Sequence, residues 1–251
     1  VGAKLRLDDV KKGYDLFIGI GSACNPAMAF DRHGLRKFSL PLDWSVTLDP
    51  MDVVRLFDGR FAGYMERSNL ELISGGAKVH DEDQWQLGSP SKDAPSSYFV
   101  RDSKFNVISV HDFRVIEGQP WDASYESFRQ KLEIRIARLF RSLEEADSVL
   151  FVRWADLQKS KTELHRPQDL AKNAALIHRS LSDATRGRAD LLILRPAANA
   201  EVITDLEDER DGICVVEVPN RPADCAIWDE ILQGMSLSEK ASARALEAMR
   251  A

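Results

Sequence analysis

The sequence predicts an α/β fold: a mostly parallel central sheet with helices on both faces and one hairpin-like insertion. Three observations carry this expectation. Four short apolar runs, at 14–20, 148–153, 190–195 and 212–218, read as strands buried on both faces. Stretches with helical periodicity lie between them, at 123–145 and 168–186. Alternation of this kind builds βα units, and a chain of 251 residues without an internal repeat is expected to form one α/β domain over 1–251.

Each element has a local reason. The run 14–20 ends in Gly21, Ser22, Ala23 and Cys24, and Asn25-Pro26 then reads as a helix start, with Asn as the cap and Pro at the first helical position. Gly34 fits the stop of that helix. Residues 38–44 read as a second extended piece, and Asp49-Pro50 opens a helix through Val53, Val54 and Phe57. Residues 74–97, rich in Gly, Ser, Asp and Pro, read as a long surface excursion. Runs 98–101 and 106–111 form the hairpin candidate around Asp102, Ser103 and Lys104. In 123–145, Tyr125, Phe128, Leu132, Ile136, Leu139, Phe140 and Leu143 recur at three- and four-residue steps, with Arg129, Arg135, Arg138 and Arg141 between them. Residues 226–235 and the Ala-rich tail 238–251 read as helices.

Composition narrows the function. With 34 Lys+Arg against 40 Asp+Glu the net charge is −6, which argues against a general nucleic-acid binder. Three cysteines are too few and odd in number for a secreted disulfide scaffold. No apolar run approaches the ~18 residues of a membrane span, and no signal-peptide pattern opens the chain. The expected setting is the cytoplasm. Because the chain opens on Val1, a domain excised from a larger enzyme is one expectation.

Ligands of such sheets collect at the carboxyl ends of the strands. Cys24 falls there, at the amino end of a helix whose unpaired amides and positive dipole end lower a thiol pKa. The same amides, with Gly21, Ser22 or Asn25, could receive a developing oxyanion. His111, ending a separate strand, is the best base of five histidines: His33, His165 and His178 accompany charged helical stretches, and His80 sits in an acidic loop. Asp43 could approach from across the site, beside Trp44. Asp112 is expected to point away from the imidazole, since neighbours in a strand face opposite sides. Arg36, Lys37 and Arg153 could hold an anionic substrate group, although a residue like Arg153 is more often a surface cation. No close Cys or His pair forms a metal clip, so no metal is expected; the acidic loop at His80 reads more simply as solvated. Cys214, within an apolar strand, reads as inert core.

These residues resemble a known bacterial family. Gly19-Ile-Gly-Ser-Ala-Cys24-Asn-Pro-Ala, then Gly34-Leu-Arg-Lys-Phe38, then Leu40-Pro-Leu-Asp-Trp44 is similar to the opening of the family named putative papain-like cysteine peptidases. His111-Asp-Phe113, Ile134-Arg-Ile-Ala-Arg-Leu139 and Leu150-Phe-Val-Arg153 follow in the family's order, so the resemblance covers about 14–155. A Pro-Phe-Asp-Trp of the family stands here as Pro41-Leu-Asp-Trp44. The resemblance implies Cys24 as nucleophile and His111 as base, assisted by Asp43 or Asp112. It also implies polysaccharide-assembly enzymes as neighbours, so a peptide, glycan or other small molecule is the expected substrate.

Several outcomes stay open. After thiolate attack, water resolves the thioester in a hydrolase, which needs no cofactor, and a sugar hydroxyl resolves it in a transferase. The strand–Gly–Ser–Cys–helix turn also resembles that of capsule-biosynthesis O-acetyltransferases, which implies acetyl-CoA as donor. Gly19-x-Gly21-x-x-Cys24 with Asp43 about 20 residues on is close to a dinucleotide fingerprint, although Cys24 replaces its third small residue. A non-catalytic glycan-binding module is the remaining alternative, and it predicts an ordinary Cys24 pKa of about 8.5.

Overall fold

The computed structural model describes residues 5–21, 24–47, 49–78, 94–155, 170–206, 208 and 210–242. Ser22, the acidic loop at His80, His165 and the tail beyond residue 242 therefore lie outside the described residues.

The chain opens with one helical turn, α1 (Leu7–Val10), a short strand β1 (Gly13–Tyr14), then β2 (Leu16–Gly19) and α2 (Asn25–Arg32). Next come β3 (Ser45–Thr47), α3 (Pro50–Asp58), β4 (Leu70–Lys78), β5 (Ser96–Asp102) and β6 (Val107–Arg114). The second half runs α4 (Tyr125–Glu145), β7 (Ser148–Trp154), α5 (Leu170–Ala184), β8 (Arg188–Ala197), β9 (Thr204–Leu206) and β10 (Ile213–Pro219). It closes with α6 (Cys225–Leu232) and β11 (Ser236–Leu237), which pairs in parallel with β1.

The central sheet has the order β2-β7-β8-β10-β9. Its first four strands are parallel, as expected, whereas β9 runs antiparallel to β10 and makes the sheet mixed. β9 is a three-residue, largely exposed edge strand, and the four apolar runs that predicted the sheet gave no sign of it. Side chains alternate cleanly between faces. Ile18, Val149, Phe151, Leu191 and Ile193 pack with α3, α4 and α5 on one side. Phe17, Leu150, Val152, Leu192 and Leu194 pack with α2 and α6 on the other.

The expected hairpin-like insertion is larger than a hairpin. β5 and β6 form it, with the Asp102 carboxylate accepting the Lys104 and Phe105 amides at the turn, but β3 and β4 flank them in a four-stranded antiparallel sheet ordered β3-β6-β5-β4. Two corrections follow. Residues 74–78, expected in the surface excursion, belong to β4, whose Gly- and Ser-rich end follows β5 through two register shifts. Residues 38–44 are not extended, because they turn on the Asp43 carboxylate, which accepts the Leu40 amide at 2.8 Å, and only 45–47 pair as a strand. The spacing of buried Leu40, Leu42 and Trp44 mimics strand alternation there.

Val100, Phe105, Val107 and Phe113 of the antiparallel sheet join the same apolar cluster as the α4 side of the central sheet. The two sheets thus share a core, and the turn after β2 lies beside β3.

Candidate active site

β2 ends at Gly19 and the chain reverses into α2 through Gly21 and Cys24. Cys24 itself is the N-cap, with Asn25 the first helical residue and Pro26 the second, one position later than expected. The glycines serve close packing. A Cβ on Gly19 would meet Pro26 Cβ at 3.3 Å, and one on Gly21, whose φ is +79°, would meet Thr47 Cγ2 at 2.6 Å. Thr47 of β3 therefore packs directly against the Gly21 backbone. The parallel strands also follow one another across the sheet without reversing, so they form no switch-point crevice.

His111 enters on β6. Tyr98 pairs with Phe113 and Val100 with Ser109, so Phe99 alone is set against Val110, His111 and Asp112. At this bulge Ser109 and Asp112, three residues apart, meet at 2.8 Å on one side of the strand. On the other flank the ladder continues, with Val110 N–H donating to the Trp44 carbonyl at 3.1 Å.

Trp44 gathers the site. It is buried, packs with Ala27 and Met28 in a small cluster that Cys24 packs against, and meets the His111 ring at a centroid distance of 5.0 Å, tilted by 40°. Arg36 lies over its indole at 5.1 Å and donates to the buried Asp43 carboxylate at 3.1 and 3.3 Å. Arg135 of α4 holds Asp112 at 3.1 Å, with both side chains largely buried. Among the described residues, all the hydrogen bonds of Asp43 go to Arg36 and Leu40, and all those of Asp112 to Ser109 and Arg135.

Burial pushes the Cys24 thiol up to about 12, and the charges of Asp43 and Asp112 push the same way. This reverses the expectation of a lowered pKa, because burial first, and then the charges of two carboxylates, outweigh the helix terminus. Asp43 is also raised, by burial first, against the pull of Arg36 and the Leu40 amide. The coupling to both carboxylates places Cys24 in the field of residues that neighbour Trp44 and His111 in the chain.

The model of the family described as putative papain-like cysteine peptidase matches residues 15–183, more than half of the chain. The chain belongs to that family. An uncharacterized protein of Acanthamoeba polyphaga mimivirus is 29% identical over 140 residues, which are 55% of this chain and 60% of the viral protein. The chain thus spans less than two thirds of the length of the relative it matches. No solved structure matches.

In this member of the family, two expected site residues have a different setting from that read in the sequence. Arg153 is fully buried and is no surface cation: its guanidinium donates to Ile20 O at 3.0 Å and Thr47 Oγ1 at 2.8 Å, tying the end of β2 to β3. Arg36 is engaged with Asp43 and with Ser39 Oγ, at 2.8 Å. Asn25 begins α2 beside Cys24, where its backbone amide belongs to the unpaired first turn. Cys214 is buried core, as expected, and burial raises its thiol.

Sequence reasoning missed Arg135, Tyr64 and Thr47. A signal for Arg135 was present, because Phe128, Leu132, Arg135, Leu139 and Leu143 lie on one stripe, which puts an arginine on the buried face. The Tyr64 hydroxyl, 3.3 Å from Ser45 Oγ, is raised by burial first and then by Asp112 and Asp102, against the hydrogen bond from Ser45. Its contribution comes from a turn without periodicity, and no spacing pointed to it.

Proposed function

We propose that this protein is a cysteine hydrolase in which Cys24 forms a thioester acyl-enzyme with His111 as its base. The observation that carries the reading is the small cluster of Ala27, Met28 and Trp44, against which Cys24 packs and whose Trp44 ring lies 5.0 Å from the His111 ring. With its pKa near 12 the thiol is protonated at neutral pH, so the proton must leave as the sulfur attacks. His111 takes that proton while the Cys24 sulfur bonds to the acyl carbon. Asp43 and Asp112, whose charges oppose a thiolate, favour the imidazolium formed in the same step, and Arg36 and Arg135 hold both carboxylates in place. The Gly21 turn and the first amides of α2 face the developing oxyanion. The imidazolium returns the proton to the leaving group, and water then attacks the thioester, releasing the acid and the free thiol. Asp43 and Asp112 act on the dyad as charges and positioning groups.

Intact-protein mass spectrometry tests this. An electrophilic peptide or ester probe should leave a hydroxylamine-labile adduct on the wild type and none on Cys24→Ser, with labelling slowed in His111→Ala. Inert Cys24 would overturn the reading. An acetyl adduct from acetyl-CoA that passes to a glycan hydroxyl rather than to water would make the chain an O-acetyltransferase.

A further inference from the structure

A cleft of about 710 Å³ opens between the loop after α2 and the carboxyl-terminal half of α4, beside the start of β2. Its volume is that of a small-molecule site. The lining is cationic in a chain of net charge −6: five cations stand against the carboxylates of Asp15 and Glu145. Lys240 is engaged with Asp147, and Arg36 with Asp43. Arg138 and Arg141 differ. They lie three residues apart on one side of α4, and neither is paired with a carboxylate among the described residues. Arg138 instead stacks over Phe38 on the opposite wall at 5.1 Å. Two adjacent guanidiniums without a carboxylate, in a concave wall, form a fork suited to phosphate oxygens.

The two walls of this cleft also build the candidate active site. The loop wall carries Arg36, which lines the cleft and holds Asp43. On the other wall Arg135, one turn before Arg138, holds Asp112. A ligand anchored in the cleft therefore lies along the two elements that position the carboxylates around Cys24.

We propose that the cleft binds the phosphate-bearing part of the substrate, with Arg138 and Arg141 as its anchors, so that the acyl group worked on at Cys24 belongs to a phosphorylated small molecule. The substrate assignment rests on the cysteine hydrolase reading; the phosphate site itself does not.

Calorimetric titration with ADP, inorganic pyrophosphate and adenosine separates the two. ADP and pyrophosphate should bind wild type and Cys24→Ala alike, adenosine should not, and raised salt should weaken binding. Arg138→Gln with Arg141→Gln should lose at least about tenfold in affinity, since each charge-assisted contact is worth about that much or more. An unchanged melting temperature of that double variant shows that the loss is local. Equal binding of ADP and pyrophosphate assigns the affinity to phosphate alone, and tighter binding of ADP adds a nucleoside, stacked beside Phe38; both support the site. No binding of either, or the same affinity in the double variant, overturns it. Phosphate binding with an inert Cys24 removes the hydrolase reading and leaves the site standing, whereas an acylated Cys24 without phosphate binding removes the site alone.

Discussion

The two larger sheets of this molecule differ in how many polar side chains they bury. The parallel strands are apolar on both faces, with Arg153 and Asp190 their buried charged exceptions. The antiparallel strands bury Ser45, Thr47, Ser97, Asp102, Ser109 and His111, and Asp43 is buried one turn before them. Buried polar groups cost free energy unless they are hydrogen-bonded, so the second sheet is less favourable by composition and depends on its network of partners. The difference teaches where chemistry can be placed. The parallel sheet supplies a rigid strand end for Cys24, and the antiparallel sheet brings polar groups to it.

Substitutions on either side of the seam should sharpen that contrast. The largest effect is expected for the reacting pair: Cys24→Ser should abolish adduct formation, and His111→Ala should slow turnover by roughly 10²–10⁴-fold while the melting temperature changes little. A large loss of stability in His111→Ala, matching its loss of turnover, would instead make the imidazole a core group.

The seam itself comes next. Gly21→Ala drives a Cβ against Thr47 and forces a side chain into positive φ, and Arg153→Met leaves the Thr47 and Ile20 oxygens without their donor. Each should cost roughly 1–3 kcal/mol in denaturant unfolding, with loss of turnover as β3 moves from Cys24. In the parallel sheet, Ile193→Val should cost only about 0.5–1.5 kcal/mol and leave turnover unaltered. Equal functional loss from both would erase the distinction between the sheets.

The subtlest test is the thiol. Iodoacetamide labelling of Cys24 should climb about tenfold per pH unit past the point where an exposed cysteine, of pKa about 8.5, has levelled. Asp112→Asn removes one of the charges that raise the thiol, so it should shift the labelling curve to lower pH while slowing turnover. The sign for stability follows. Folding raises the thiol from the ordinary cysteine value of about 8.5 to about 12, so its contribution is full below the unfolded value and falls as pH rises towards 12. A curve that levels near pH 8.5 in the wild type would show that neither burial nor the carboxylates raise the thiol.

Much of this molecule is legible in its sequence, for a physical reason. Periodicity reports which face of an element is apolar, and it located the four parallel strands, the long helix α4 and the strand–turn–helix that carries Cys24. Local chemistry located the Asp49 cap, whose carboxylate accepts the Met51 amide at 2.8 Å, and the Gly34 stop, with φ +66°. The rest depended on contacts between segments far apart in the chain. The bulge at His111 falls where β6 pairs with both β3 and β5, and there Ser109 and Asp112 meet on one side of the strand. The direction of the thiol pKa was likewise out of reach. A helix terminus can be read from neighbouring residues, but burial and the two carboxylates near the sulfur arise only when β3, β6 and α4 close around it. Sequence set the elements and the position of Cys24; tertiary packing decided its electrostatic surroundings, because charge acts through space and not along the chain.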